Sequence, residues 1–534
     1  MILPLVLMVL APIMLGLVFF IWPNRFAKPI LLSLQVVLIL SVLYLFYRLG
    51  SKQEIITLLS VHKLPMGMSL RFDTLSGVLL LLNSLLFFSA VVFNIHKYYM
   101  DKLFMFLFLS LQGLINGVFL SNDLFNVYIL IEVATVVVSI LIMFKKDAMS
   151  MYDGMLYLLV NLAAMAFFLF GVGYIYKYFG VFDFTGVKRL IPLISDPKQL
   201  IVPYAFLLTG VSMKAAIMPL FSWLPKAHGT ASAPSIVSAI LSGIFVKSGV
   251  YLFIRLSILF NPILNIQEYF LWAGFFTAIA GFTFAIAQTD IKLILAYHTI
   301  SQVGLIMIGI NIGTEVAYQG ALYHILTHGI FKGLLFMTSG VMSEIYETRR
   351  IKEMKGLWKR SKLTSIALLT AVLSITGAPF FSGAYSKAMI SAGRSDNLFQ
   401  IAMLIVSFGT MISFIKFHIV IFSKDEAAKP QAIAWNQGFA FVLMLALCLL
   451  FGLFGDVITH MIFRADFSFS VVKQASKILD FVVKMAISAL VYKLWLSEGK
   501  HLVYFKGMEL SFNNISLAIV SFFTVTVLYL NLLY

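Results

Sequence analysis

Apolar stretches long enough to cross a bilayer follow one another almost from end to end of this 534-residue chain and leave little sequence for anything else. About 20 helical residues span a hydrocarbon core of ~30 Å. Stretches of that length lie near 2–21, 29–47, 74–95, 103–121, 123–144, 151–176, 200–221, 232–259, 269–289, 293–311, 317–342, 363–391, 398–423 and 437–455, with a further one near 512–533. The expected fold class is an all-α polytopic membrane protein of about 14 to 16 transmembrane helices. Composition agrees: 12% of residues are charged, against roughly 25% in a soluble domain. No part of the chain reads as a water-soluble module.

A net charge of +16 raises the question of nucleic acid, which requires basic residues gathered on a solvated surface. Here they sit in short loops between apolar runs, as topology signals and anionic-lipid contacts, so the bilayer and not nucleic acid is the expected partner. Lys and Arg concentrate in loops after odd-numbered spans, above all from Arg349 to Lys362, which places the N-terminus outside. The single cysteine, Cys448, lies in an apolar run and gives neither a disulfide framework nor a thiolate metal site. Residues 1–21 lack a basic leading region and read as an uncleaved first helix.

Three features depart from the apolar pattern. Pro219 and Pro379, each in a Pro-x-Phe-Ser or Pro-Phe-Phe-Ser run, interrupt the seventh and twelfth stretches. Proline removes a backbone hydrogen bond and clashes with the preceding turn, so each stretch should be a broken helix. Paired breaks in two halves of a transporter point to an internal repeat and to an ion path. Residues 468–496 carry Lys473, Lys477, Asp480 and Lys484 three or four apart, one polar stripe on an apolar helix. Such a helix either lies in the interface plane or crosses with its stripe against protein.

The third feature is charge at membrane depth, which costs roughly 2.5–3.5 kcal/mol per residue on insertion scales and requires a partner or a wet cavity. Glu132 lies in the fifth span, Lys214 in the seventh, Lys247 in the eighth, Lys387 in the twelfth, and Lys416 and His418 in the thirteenth. The eleventh holds His324, His328 and Lys332 at i, i+4 and i+8, three titratable groups on one helix face. That ladder could pass protons through intervening water. Glu132 is the only buried acid in the set. A carboxylate favours the charged form of a nearby lysine, so a Glu132–Lys214 pair that closes and opens would bind and release a proton. Each feature has a bland counterpart. A lone buried Lys–Glu pair is as often structural, His324 alone would be a hydrogen-bonded core histidine, and Lys416 and His418 stand near a span end where they could snorkel. His324 and His328 lack a carboxylate co-ligand, so no metal is expected. Nine ionisable groups in six spans favour an ion path over nine separate structural accidents.

At these residues the chain resembles the antiporter-like membrane subunits shared by respiratory complex I, Mrp-type sodium/proton antiporters and membrane-bound hydrogenases. The fingerprint is SMKAAIMPLFSWLPKAH with Lys214, then APSIVSAILSGIFVKSGVYLFIR with Lys247. DTLSGVLLLL from Asp73, NDLFNVYILIEV around Glu132, AQTDIKLILAYHTISQVGLI from Ala287, THGIFKGLLF around His328 and ITGAPFFSGAYSK ending at Lys387 support it. The resemblance covers roughly 70–420. It implies a fourteen-helix core with two inverted five-helix repeats, each with a broken helix. The corresponding divisions are N-terminal helices over 1–102, a first repeat over 103–259, a second over 269–424, and C-terminal helices over 425–534.

The same resemblance implies roles: Glu132 and Lys214 as coupling ion pair, Lys247 as relay, His324, His328 and Lys332 as a bridge, and Lys387 at the exit. A lysine at 387 is similar to the D-type chain of Mrp antiporters and the distal complex I chain, where the middle chain has glutamate. Lys226 departs from the acidic residue usual in WLPxAH, and the stretch after 456 matches poorly. The chain carries no cluster-ligating cysteines and no nucleotide loop, so no cofactor and no catalytic chemistry are expected in it. A driving redox reaction would sit in partner subunits. The expected reading is a proton- or sodium/proton-translocating subunit of a hetero-oligomeric complex in a prokaryotic cell membrane. A standalone solute transporter, a non-conducting scaffold and a membrane enzyme are the alternatives. The first would call for a midplane cavity lined by aromatic and hydrogen-bonding groups, and the last for a nucleophile–base or metal constellation.

Overall fold

The computed structural model describes residues 2–22, 26–50, 52–59, 68–230, 232–426, 428–497 and 512–534. Helices α1 (Ile2–Ile21) and α2 (Ala27–Leu49) precede a small antiparallel hairpin, β1 (Glu54–Leu58) and β2 (Ser69–Asp73). Four long helices follow: α3 (Thr74–Asn94), α4 (Lys102–Leu120), α5 (Leu124–Ile142) and α6 (Ala148–Phe179). Each begins on an aspartate whose carboxylate accepts the amide three residues on: Asp73 from Ser76, Asp101 from Phe104, Asp123 from Asn126 and Asp147 from Ser150. An N-cap satisfies one of the four orphan amides of a helix start, and most of the aspartates of this chain are used so.

After the short α7 (Phe184–Leu190), α8 (Ile201–Lys214) stops before Pro219, and the chain resumes in the one-and-a-half turns of α9 (Trp223–His228). Next, α10 (Ser235–Ile240), a π turn over Leu241–Phe245, and α11 (Val246–Phe260) form one span. The long α12 (Gln267–Ala287), α13 (Ile291–Asn311) and α14 (Glu315–Tyr346) lead through the single turn α15 (Leu357–Arg360) to α16 (Lys362–Thr376). That helix stops before Pro379 and restarts as α17 (Ser382–Ala392). Then come α18 (Asn397–Phe422), α19 (Trp435–Leu453), α20 (Gly455–Phe463), α21 (Val471–Ser476), α22 (Ile478–Val491) and α23 (Phe512–Leu533).

Among the described residues thirteen helices are long and apolar enough to cross a membrane. They account for every expected span except the seventh and twelfth, the two that proline breaks. The chain is therefore an all-α, multi-pass membrane protein, with the proline interruptions where the sequence puts them. Ala216 (φ 56°) lies in the first break, and Gly377 (φ 82°) and Phe380 (φ 71°) in the second. A left-handed residue ends helical propagation.

The central helices are α3, α13, α14 and the span 235–260, all buried along most of their length, whereas α1, α2 and α23 are largely exposed on the flanks. Close approach at the centre depends on two glycines. A Cβ on Gly249 would stand 2.4 Å from the Ala215 amide nitrogen, so only glycine lets α11 press on the end of α8. A Cβ on Gly329 would stand 2.9 Å from the Gly243 carbonyl oxygen, where α14 meets the π turn. Both contacts bring lysine-bearing backbone together.

At one end of the bundle the hairpin is tied to α11. The Arg255 guanidinium donates to both oxygens of Asp73, at 2.5 and 2.9 Å, and to the Ser76 hydroxyl at 2.9 Å. Burial works to raise the Asp73 carboxyl, but Arg255 and Arg71, with the Ser76 amide, outweigh it and hold its pKa at about 2. The carboxylate of an unfolded chain titrates near ~3.9. The stabilisation from this pair is thus complete above that pH and is lost as the pH falls through about 2. Removing one partner leaves a buried charge, so Asp73→Asn is expected to cost roughly 3–5 kcal/mol at neutral pH. Thermal unfolding of the purified protein measures it, and the gap from wild type should narrow as the pH approaches 2.

Candidate functional site

Each ionisable residue singled out from the sequence is built onto a helix that faces the centre. Lys214 is the last residue of α8, wholly buried, with its ammonium donating to Thr135 Oγ1 at 2.8 Å and Asn161 Oδ1 at 3.1 Å. The ring of Phe245 lies 4.5 Å from the ammonium, a cation–π contact. Glu132 is on the same stretch of α5 as Thr135, one turn earlier, and its Oε2 is buried without a hydrogen-bond partner. Among the described residues no ion pair joins Glu132 to Lys214. The ammonium reaches the Glu132-bearing face of α5 but meets the threonine hydroxyl there, so the two charges are close without touching.

From Lys247 a polar thread crosses to α14. Its ammonium donates to the Ser242 carbonyl, five residues back, an oxygen that the π turn turns toward it. The Ser242 hydroxyl is 2.6 Å from Thr299 Oγ1, which in turn donates to the Leu295 carbonyl at 3.1 Å. Lys332 donates to that same carbonyl at 2.7 Å. Lys247 and Lys332, on different helices, are therefore linked through one face of α13.

The ladder of α14 is realised as expected. His324, His328 and Lys332 are all fully buried on one unbroken helix, and the two imidazole centroids are 6.0 Å apart. His324 Nδ1 lies 2.8 Å from the Ser386 hydroxyl and Nε2 lies 3.1 Å from Gln302 Oε1. Hydroxyl and amide can each present either a donor or an acceptor, so both imidazole tautomers are accommodated. Among the described residues neither ring nitrogen of His328 has a hydrogen-bond partner. Beyond His324, Ser386 leads to its neighbour Lys387, whose ammonium donates to the Ile375 carbonyl at 2.6 Å.

The helix breaks position the two ends of this line. Trp223 Nε1 donates to the Met213 carbonyl at 2.8 Å, beside the Ala216 amide, which ties the end of α8 next to Lys214 to the helix that follows the break. In the second break Lys387 does the same for the end of α16, while the Phe380 amide donates to Gln474 Oε1 at 2.7 Å. A break inside a membrane protein persists only if its freed backbone groups find partners, and Lys387 is itself one of those partners.

Sequence reasoning passed over four buried groups. His298 on α13 and His228 on α9 are fully buried, with no protein partner on either ring nitrogen. His298 stands one turn from Gln302, an i, i+4 spacing that could have flagged it. Lys292 donates to the Ala233 carbonyl at 2.7 Å, and Arg255 pairs with Asp73 as above. Both lie within two turns of a span end, where sequence alone reads a charge as reaching for water. Conversely, Lys416 does not snorkel. Its side chain is buried, and the ammonium donates to the carbonyls of Ala285, Ile286 and Gln288 at 3.4, 2.5 and 2.7 Å, closing the C-terminal end of α12. Among the described residues the hydrogen-bond partner of His418 is the Phe414 carbonyl of its own helix, 3.3 Å away.

A membrane-embedded bundle with two broken helices, joined by a buried line of lysine and histidine, defines the class of antiporter-like membrane subunits. Residues 121–413 match the family described as NADH:quinone oxidoreductase/Mrp antiporter, TM, and the chain belongs to that family. It is 30% identical over 379 residues to the N subunit of NADH-quinone oxidoreductase from Desulforudis audaxviator, covering 69% of this chain and 74% of that protein. It is likewise 30% identical over 387 residues to the D subunit of the Na(+)/H(+) antiporter from Alkalihalophilus pseudofirmus, covering 70% of this chain and 77% of that protein. In fold it is similar to a chain of the Mrp complex from Dietzia sp. (TM-score 0.80, 20% identity, 92% of this chain and 100% of that one). A chain of the archaeal membrane-bound sulfane sulfur reductase gives a TM-score of 0.79 at 22% identity over 90% and 99% of the two chains.

The carbonyl contacts of Lys416 are a structural arrangement, and each lost hydrogen bond to a charged donor is worth roughly 1.5–3 kcal/mol. Lys416→Met is expected to lower the thermal stability of the purified protein by about that amount, measured by the shift of its unfolding midpoint.

Proposed function

We propose that this chain is the ion-translocating membrane subunit of a multisubunit complex, of the Mrp antiporter type or of a redox-driven type related to complex I and membrane-bound hydrogenases. It moves protons, or exchanges sodium for protons, along Glu132, Lys214, Lys247, Lys332, His328, His324 and Lys387. The observation that carries this reading is the set of polar contacts through Ser242, Thr299 and Leu295, which brings the lysine of one half beside Lys332 of the other, on the same helix as the histidines. Titratable groups separated by hydroxyls and short water bridges are what proton hopping requires, whereas charges kept only for packing have no need to be in series.

Lys214 differs from the other lysines of the line in being held by side-chain oxygens, not by a backbone carbonyl. Those side chains rearrange without disturbing a helix, so Lys214 is the group best able to change partners. Swinging from Thr135 and Asn161 toward Glu132 would stabilise its charged form, and swinging back would favour release of the proton. The two divisions 103–259 and 269–424 would each hold one broken helix and one half of the path. Cofactors and any driving reaction belong to neighbouring subunits, with other membrane chains as partners in a prokaryotic cell membrane.

Lys214→Ala and Glu132→Gln are each expected to abolish the ion gradient built by inverted vesicles that carry the intact complex, with assembly unchanged. A normal gradient in both variants would show that the chain is a scaffold and its charge line structural. Thr135→Val, which removes one resting partner of Lys214 but no charge, is expected to slow transport without abolishing it.

A further inference from the structure

Lys477, Asp480 and Lys484 of the polar stripe border a cavity shared with α17 and α18, while Lys473 is exposed. Gln474 of α21, 1% exposed, accepts from the Phe380 amide and donates to the carbonyls of Gly452 and Phe469 at 3.0 and 3.1 Å, which anchors the segment in the second helix break. Tyr385 of α17 adds a second anchor, its hydroxyl donating to Asp456 at 2.9 Å. From there α22 follows α18. Its first turns stand opposite Gln400 and Ser407, and Tyr492 and Leu496 reach the niche around Lys416.

Between α17, α18 and α22 lies a cavity of about 400 Å³. Lys387 and Ser391 line it from α17, Gln400 and Ser407 from α18, and Lys477, Asp480 and Lys484 from the C-terminal segment. The lining is mainly apolar, and these polar groups give the cavity a wettable side with room for water. Asp480 is the one carboxylate among the described residues that line it, half-exposed and paired with Lys484 at 2.6 Å. Lys387 is thus connected to the rest of the line through Ser386 on one side and opens into this cavity on the other.

We propose that the C-terminal segment completes the outlet of the path, with Asp480 as the carboxylate that takes the ion from Lys387. For a proton, an Nζ–H bond of Lys387 breaks and an O–H bond forms at Asp480 by way of the cavity water. A hydrated sodium ion would be met by the same oxygens. Lys484 competes with the arriving cation for Asp480, and Lys477 adds positive potential, so the ion is passed on and not retained. The role of the segment is then chemical as well as mechanical, which a polar stripe directed at lipid could not provide.

This inference rests on the translocation reading above, and the test separates the two. Ion gradients are measured in inverted vesicles bearing the intact complex with Asp480→Asn, Asp480→Glu and Ser407→Phe, beside Lys214→Ala. Ser407→Phe fills the cavity from α18 and leaves the stripe untouched, so it reports even if the Asp480→Asn complex fails to assemble. Loss of most of the gradient in Asp480→Asn and Ser407→Phe, with recovery in Asp480→Glu, is the expected result. A wild-type gradient in Asp480→Asn or in Ser407→Phe, while Lys214→Ala abolishes it, overturns the outlet and leaves the translocation reading standing. A wild-type gradient in Lys214→Ala overturns the translocation reading itself.

Discussion

An ammonium group away from water must be given oxygen, and much of this fold is arranged around where that oxygen comes from. Backbone carbonyls inside a regular helix are already engaged. Free ones occur at helix ends, at breaks and at π turns, and four of the buried lysines are found there. Lys387 takes the end of α16, Lys416 the end of α12, Lys247 the π turn of its own span and Lys292 the loop at Ala233. The negative end of the helix dipole adds to the attraction at the first two. At the second break lysine and break support one another: Lys387 covers a carbonyl at the end of α16, and the break supplies its acceptor.

That reciprocity gives the few acids of the chain distinct positions. Aspartates serve mostly as N-caps at helix starts, where Asp73, Asp101, Asp123, Asp147, Asp183, Asp290 and Asp396 each accept a backbone amide. Asp73 has a second duty in the Arg255 pair. Glu132 in mid-span has none of these partners, and Asp480 is paired only within its own helix.

Much of this was legible in the sequence because a bilayer admits so few solutions. The apolar runs fix the spans, and prolines 219 and 379 fix the breaks, because a backbone without an amide cannot continue a helix. The ladder His324, His328, Lys332 was readable because a 3.6-residue repeat converts spacing into a face. Less legible were His228, His298, Lys292 and Arg255. Their burial depends on which neighbour covers them, and a charge near a span end looks the same in sequence whether water or another helix lies above it.

The sequence by itself determined how many helices there are, where they break and which ones carry charge, since length, proline and periodicity act locally along the chain. Only the tertiary structure decided what each charge meets. It set Lys214 on Thr135 and Asn161 with Glu132 a turn away, joined Lys247 to Lys332 through Leu295, and turned the stripe of α22 toward Lys387. Those contacts bring together residues tens of positions apart. A hydrogen bond is made or lost within an ångström, a distance that helix packing fixes and local sequence does not.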